Sequence, residues 1–188
     1  MPSGEVVLAS RSPQRVAILT QLGIEFEQHP TDVKEVRDGP PAEVVARNAL
    51  SKALAAAASV GPELLVLGVD TEVHLDGRLL GKPRNEADAR RHLESLSGRT
   101  HEVFSGLALV QGESRVTDVA RTNVRFRALD SSLVDWYLAS REWDGRAGAY
   151  AVQGRGAALV ESIDGDYWNV VGLPVFLLLR HAPGLLGD

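Results

Sequence analysis

Asp70 closes the apolar run ELLVLGVD, and a carboxylate delivered by a buried strand has few purely structural uses. Arg15, Lys52 and Lys82 are cations from three separate stretches that can converge on it, and the glycine-rich segment GRAGAYAVQGRG, residues 145–156, carries Gln153. One acid, several cations and a permissive backbone suit phosphate chemistry with a hard metal ion, because Mg²⁺ takes a few carboxylates and shares its other positions with water and phosphate oxygens. A fourth stretch, LASRSPQR at residues 8–15, sets two serines and two arginines where an apolar strand meets a helix. Amides of a first helical turn, together with Arg15, favour an anion there.

Other site types fail on spacing. Gly77 and Gly81 enclose three residues where a phosphate loop needs four, and Pro83 follows Lys82 where a Ser or Thr is required. QGRGAAL has two glycines at the dinucleotide spacing and lacks the third. There is no G-x-S-x-G elbow, and the five histidines show no zinc-binding spacing. Each remaining candidate also has a plain structural reading. Lys52 can be a solvated helix charge, Lys82 a hairpin charge and Arg15 a surface residue of a first turn. Glu35 shares a polar loop with Asp32 and Asp38, and Gln153 can serve the backbone of its own turn. Trp136, Tyr137 and Trp143 read as core or interface anchors.

The elements that must position these residues follow from periodicity. Val6 to Ala9 reads as a short strand, and Ser12-Pro13 as a helix start running to Gly23. IEFEQHPTDVKEV holds a second strand and a polar loop. DGPPAEVV opens a helix with an apolar stripe of Ala46, Ala49, Leu50, Ala53, Leu54 and Ala57, from whose edge Asn48 and Lys52 project together. ELLVLGVD is a buried strand ending on Asp70, VHLDGRLLGKP a hairpin turning at Asp76-Gly77, and NEADARRHLESLSG a helix capped by Asn85 and stopped by Gly98. Two long strands joined at Gln111 to Ser114 follow, then the short helix SSLVDWYLAS. Asp164-Gly165 reads as another hairpin turn, and NVVGLPVFLLLRHAPG as a final strand and helix. Helices and strands alternate first and strands dominate later, which predicts one α/β domain over residues 1–188 around a mixed sheet.

Composition limits the function classes. The chain has 188 residues, 44% of them hydrophobic, and a net charge of -5 with no long Lys/Arg cluster, which argues against a nucleic-acid binder whose affinity comes from phosphate counterions. It has no cysteine, so neither a disulfide framework nor a thiolate metal site is available. The opening MPSGEVVLAS lacks a basic stretch followed by a long apolar run, and no later apolar run is long enough to span a bilayer. A cytoplasmic protein without a membrane or nucleic-acid partner is expected.

LASRSPQR, GVDTEV, GKPRNEADARRHLESLSGRTHEV and GRAGAYAVQGRGAALVESIDGDYWNVVGLP resemble, in order and spacing, the motifs of the Maf nucleoside triphosphate pyrophosphatases, once described as septum formation inhibitors. The resemblance runs from Val7 to about Pro174. It implies an elongated mixed sheet flanked by helices, in two lobes with a central cleft, similar to the inosine triphosphate pyrophosphatase (Maf/Ham1) fold. The implied reaction splits a nucleoside triphosphate into monophosphate and pyrophosphate with a divalent cation, Mg or Mn, and a homodimer is the implied assembly. By the same resemblance Asp70 is the proton acceptor, with Val69 in place of the usual alanine. Glu35 and Asp70 are metal partners, and Lys52, Lys82, Ser10 and Arg15 serve the phosphates.

By the same resemblance, positions of nucleotide selectivity fall at Gln14, Thr71 and Gln153. The subgroup associated with dTTP and UTP carries Arg, Thr and Gln at these places, so Thr71 and Gln153 agree and Gln14 departs. A neutral amide in place of a fixed cation removes a charge-assisted donor and adds an acceptor, which leaves a modified or other nucleotide open. The competing reading is a nucleotide-binding regulator of cell division that acts through a protein partner without turnover.

Overall fold

Val6–Leu8 (β1) is wholly buried, and the chain leaves it into α1 (Pro13–Gln21). Ser12 starts that helix: its hydroxyl accepts from the Arg15 amide, and Pro13 occupies a first-turn place that needs no donor. The computed structural model describes residues 6–186. β2 (Phe26–Gln28) pairs parallel with β1, and α2 (Pro41–Ala57) follows a polar loop. β3 (Leu65–Leu75) pairs parallel with β1 on its other edge, then turns at Asp76-Gly77 into β4 (Arg78–Leu79). Both turn residues have positive φ, 50° and 75°, as the expected hairpin requires. α3 (Glu86–Leu96) starts at Asn85, whose side chain accepts from the Asp88 amide, as expected.

β5 (Thr100–Gln111) and β6 (Ser114–Phe126) are the two long strands, and α4 (Ser131–Leu138) is capped by Asp130. Two 3-10 turns occupy Ala147–Ala149 and Arg155–Leu159 before β7 (Val160–Asp164), α5 (Tyr167–Val171) and α6 (Val175–His181). The strands order β2-β1-β3-β5-β6-β7, with β4 beside β3, in a mixed sheet flanked by helices. No helix among the described residues is long and apolar enough to cross a membrane.

Three local expectations are corrected. β3 does not end on Asp70 but runs on to Leu75, because the polar residues that read as its end find partners: Glu72 Oε2 lies 2.8 Å from His74 Nε2. Asp164-Gly165 is no hairpin turn, since β7 leads into α5, where Asp166 accepts from the Trp168 amide. The last apolar stretch holds two helices and no strand, divided at Gly172, whose φ of 129° suits glycine.

Contacts divide the chain into two units, and the single domain expected over 1–188 is described as these two over residues 6–186. The first takes the described residues up to Thr71, Ser105–Ala120 and those from Gly172 on; the second takes Glu72–Phe104 and Arg121–Val171. In the first, Val7, Ala49, Ala53, Ala56, Val66, Ala108 and Val110 form a core of small side chains. Glycines let α2 lie close on the strands: a Cβ at Gly68 would stand 2.2 Å from the Ala49 carbonyl oxygen, and one at Gly106 2.1 Å from that of Val45. The buried stripe of α2 is Val44, Val45, Asn48, Ala49, Ala53 and Ala56, rotated from the expected one so that Asn48 lies inside it. In the second unit α3 and α4 pack on Val73, Val103, Val124 and Phe126.

Candidate active site

Close packing of α2 on β3 sets the distance at which α2 side chains meet Asp70. Asn48 and Lys52, one turn apart on α2, both reach that carboxylate: Asn48 Nδ2 donates to Asp70 Oδ2 at 2.9 Å, and Lys52 Nζ to Oδ1 at 2.7 Å. Asp70 is 7% exposed, and its charge is therefore answered by one cation and one amide rather than by bulk water. Lys52 Nζ also lies 2.7 Å from Glu35 Oε1. Glu35 sits on the loop before α2, and Asn48 pins that loop by accepting from the Val36 amide at 2.8 Å and donating to the Val36 carbonyl at 2.9 Å. Two carboxylates from separate segments are thus held around one ammonium.

A second web adjoins the first through Thr71. Arg15 is buried on the first turn of α1, and its Nε donates to the Gly172 carbonyl at 2.9 Å. Its terminal nitrogens donate to Ser10 Oγ at 2.9 Å and Thr71 Oγ1 at 3.2 Å. Thr71 Oγ1 also lies 2.8 Å from Ser105 Oγ. Burial brings the Arg15 pKa down to about 10, against the raising pull of Asp70 and Glu35, so the guanidinium is charged at neutral pH. Ser10 Oγ accepts from the Ser12 amide as well, and Ser12 Oγ donates to Gln14 Oε1 at 3.0 Å.

The structure joins Ser10, Arg15, Glu35, Lys52, Asp70 and Thr71 in these two webs within the first unit, with Gln14 bonded to Ser12 beside them. Lys82 and Gln153 belong to the second unit and are exposed there. Asn48 and Ser105 escape the sequence reading as site residues. The four-residue spacing of Asn48 from Lys52 is the signal that points to Asn48, whereas Ser105 gives none beyond a hydroxyl inside the apolar strand FSGLALV.

Glu35 and Asp70 offer hard oxygen donors of the kind Mg²⁺ or Mn²⁺ takes, and both contact one positive centre, the Lys52 ammonium. Among the described residues no cluster of three His, Cys, Asp or Glu exists, so such an ion would draw its remaining ligands from water and phosphate, as magnesium commonly does.

Residues 5–183 match the pattern of the family described as Maf-like protein. A dTTP/UTP pyrophosphatase of Symbiobacterium thermophilum is 46% identical over 173 residues, covering 91% of this chain and 89% of that one. A dTTP/UTP pyrophosphatase of Pyrococcus furiosus is 39% identical over 178 residues, covering 94% and 93%. Among solved structures, the Ham1 protein of Staphylococcus aureus aligns at a TM-score of 0.48 and 13% identity over 65% of this chain and 71% of that one. With the family pattern matched over nearly its whole length, this chain belongs to the Maf-like proteins.

Proposed function

We propose that this chain hydrolyses a nucleoside triphosphate to the monophosphate and pyrophosphate, and that its preferred substrates are dTTP and UTP. The observation that carries the reading is Lys52 Nζ held at 2.7 Å by both Glu35 and Asp70, beside a buried arginine. Relatives 39% and 46% identical, both named dTTP/UTP pyrophosphatase, support the reaction class. Thr71 and Gln153 support the pyrimidine preference, and Gln14 is the position that departs from it.

Hydrolysis at the α-phosphorus forms a bond from water oxygen to phosphorus and breaks the bond from phosphorus to the bridging oxygen, which leaves as pyrophosphate. The water must lose a proton, and Asp70 is the acceptor. Asn48 and Lys52 hold its two oxygens in fixed directions, so the carboxylate needs little reorganisation to take that proton. Lys52 has three N–H donors, two of them spent on Glu35 and Asp70, and the third is available to a phosphate oxygen. Glu35 and Asp70 are the residues that would hold a divalent cation, which when bound neutralises phosphate charge.

Asp70→Asn keeps the size of the side chain and removes the proton acceptor, leaving one oxygen to accept from Asn48 or Lys52 where the carboxylate serves both. The expected outcome is a fall in kcat of about 10²–10⁴-fold with a cooperative thermal transition retained, read by pyrophosphate release from dTTP, UTP and a panel of other triphosphates. Release of orthophosphate in place of pyrophosphate, or full activity of the variant, defeats the reading.

A further inference from the structure

Thr71 occupies a position expected to select the nucleotide, yet its hydroxyl is fully engaged inside the protein. A hydroxyl has one proton and two lone pairs. Arg15 can only donate, so it takes one lone pair of Thr71 Oγ1 at 3.2 Å. The Gly172 carbonyl can only accept, so at 3.3 Å it takes the proton. Ser105 Oγ, 2.8 Å away, is left to donate to the second lone pair. Three partners fill three valences, and a base can bond this hydroxyl only by displacing one of them.

Arg15 commits three of its five N–H donors to the protein. Nε and both terminal nitrogens each carry a bond to the protein, to Gly172, Ser10 and Thr71, and these three acceptors lie on three separate segments. A planar fork serves the three from three separate nitrogens, a spread that the single nitrogen of an ammonium does not reproduce. Ser105 is fully buried, so it touches no ligand from solvent and acts through Thr71.

We infer that Arg15 and Ser105 are positioning residues for nucleotide selectivity: they lock the Thr71 hydroxyl into the protein, and discrimination at position 71 depends on that lock rather than on a hydroxyl offered to the base. This rests on the nucleotide reading above.

The test measures dissociation constants of non-hydrolysable thymidine, uridine, cytidine and guanosine triphosphate analogues with Mg²⁺ present, and takes the ratio of pyrimidine to purine affinity. Binding ratios are unaffected by a general loosening that weakens every nucleotide alike. Thr71→Val and Ser105→Ala each shift the ratio in the same direction by about tenfold, the value of one hydrogen bond. The double variant shifts it no further than the larger single one, because both act on one hydroxyl. Thr71→Ser retains the wild-type ratio. Arg15→Lys, which keeps the charge and loses the fork, shifts the ratio as Ser105→Ala does.

An unmoved ratio in Ser105→Ala, or additive effects in the double variant, overturns the lock; an unmoved ratio in Arg15→Lys overturns the part given to Arg15. If the wild type binds the analogues but releases no pyrophosphate from the true triphosphates, the hydrolytic reading fails while the ratio still decides the lock. If it binds none of them, both fall.

Discussion

Each unit buries polar groups on its strands, and one pair from each shows two different ways of doing so. In the second unit His101 lies 2.8 Å through Nε2 from the Tyr150 hydroxyl, edge-on to the rings of Phe126 and Tyr150. Burial pushes the imidazole down to about pH 4 and the Tyr150 phenol up from its ordinary value, so both groups are neutral over the working range. In the first unit Asp70 is nearly as enclosed, yet it keeps a cation and an amide at contact and shares the cation with Glu35. Burial is therefore common to a structural pair and to the pair proposed as reactive. What separates them is charge held in place by donors that still have capacity to spare.

The largest effect should follow from breaking that charge arrangement. Lys52→Met keeps the length of the side chain and leaves Glu35 and Asp70 without their shared cation. kcat should fall about 10²–10³-fold, on the scale of losing one electrostatic donor to a developing oxyanion. Pyrophosphate release at saturating substrate measures it, and an effect confined to KM would return Lys52 to a simple binding role. Next comes the spacing beneath the arrangement. Gly68→Ala places a methyl 2.2 Å from the Ala49 backbone oxygen, a contact that no side-chain rotation relieves. Pushing α2 off β3 should cost about 3 kcal/mol and lower Tm by roughly 5–10 °C, and it should cut activity with it, since Asn48 and Lys52 move with the helix.

The elements of this fold were largely legible in the sequence, and where they were not the reason is specific. Ser12, Asn85 and the Asp76-Gly77 turn announce themselves through local chemistry, because a cap or a tight turn is satisfied by neighbours in the chain. β3 reads as ending at Asp70 because Glu72 and His74 look like solvent-facing residues until their mutual bond is seen, and that bond is a property of the folded strand. The α2 stripe was read from apolar residues alone, whereas the helix turns a polar one, Asn48, inward because Val36 and Asp70 satisfy it. In the site, residue chemistry points to Asp70 and Lys52, and the family resemblance adds Glu35. Ser105 stayed hidden, since a small hydroxyl in an apolar strand has no pattern that separates it from a space-filler.

The neutral pair in the second unit gives a prediction in acid. An unfolded chain protonates His101 near pH 6.5 and the folded one only near 4, so between these values the unfolded state binds more protons. The stability tied to this group is whole above about pH 6.5 and is lost as the pH falls towards 4, by on the order of 3 kcal/mol. Replacing both partners, His101→Phe with Tyr150→Phe, leaves no orphaned polar atom between them and should reduce the loss on acidification. Urea unfolding of both proteins at pH 7 and pH 4.5 measures the difference, and an equal loss in the two would mean that His101 is not held neutral by burial.

The smallest effect belongs to a charge pair that lacks enclosure altogether. Arg125 on β6 donates through Nε to Glu161 Oε2 on β7 at 3.1 Å, beside the register shift between Arg125 and Phe126, with side chains 47% and 52% exposed. Its geometry differs little from that of Lys52 with Asp70, whose side chains are 13% and 10% exposed, so the two pairs separate distance from environment. Water screens the exposed pair and both side chains lose rotamer freedom to make it, which leaves a coupling of about 0.2–1 kcal/mol. A double-mutant cycle of Arg125→Ala and Glu161→Ala in urea should return that value at low salt and nearly nothing at 1 M salt. The coupling of Lys52 with Asp70, measured the same way, should be larger and should persist in salt, because a partly buried pair is screened much less than an exposed one. If the two couplings came out equal, enclosure would not be what distinguishes the site, and the contrast between the units would reduce to which residues happen to carry charge.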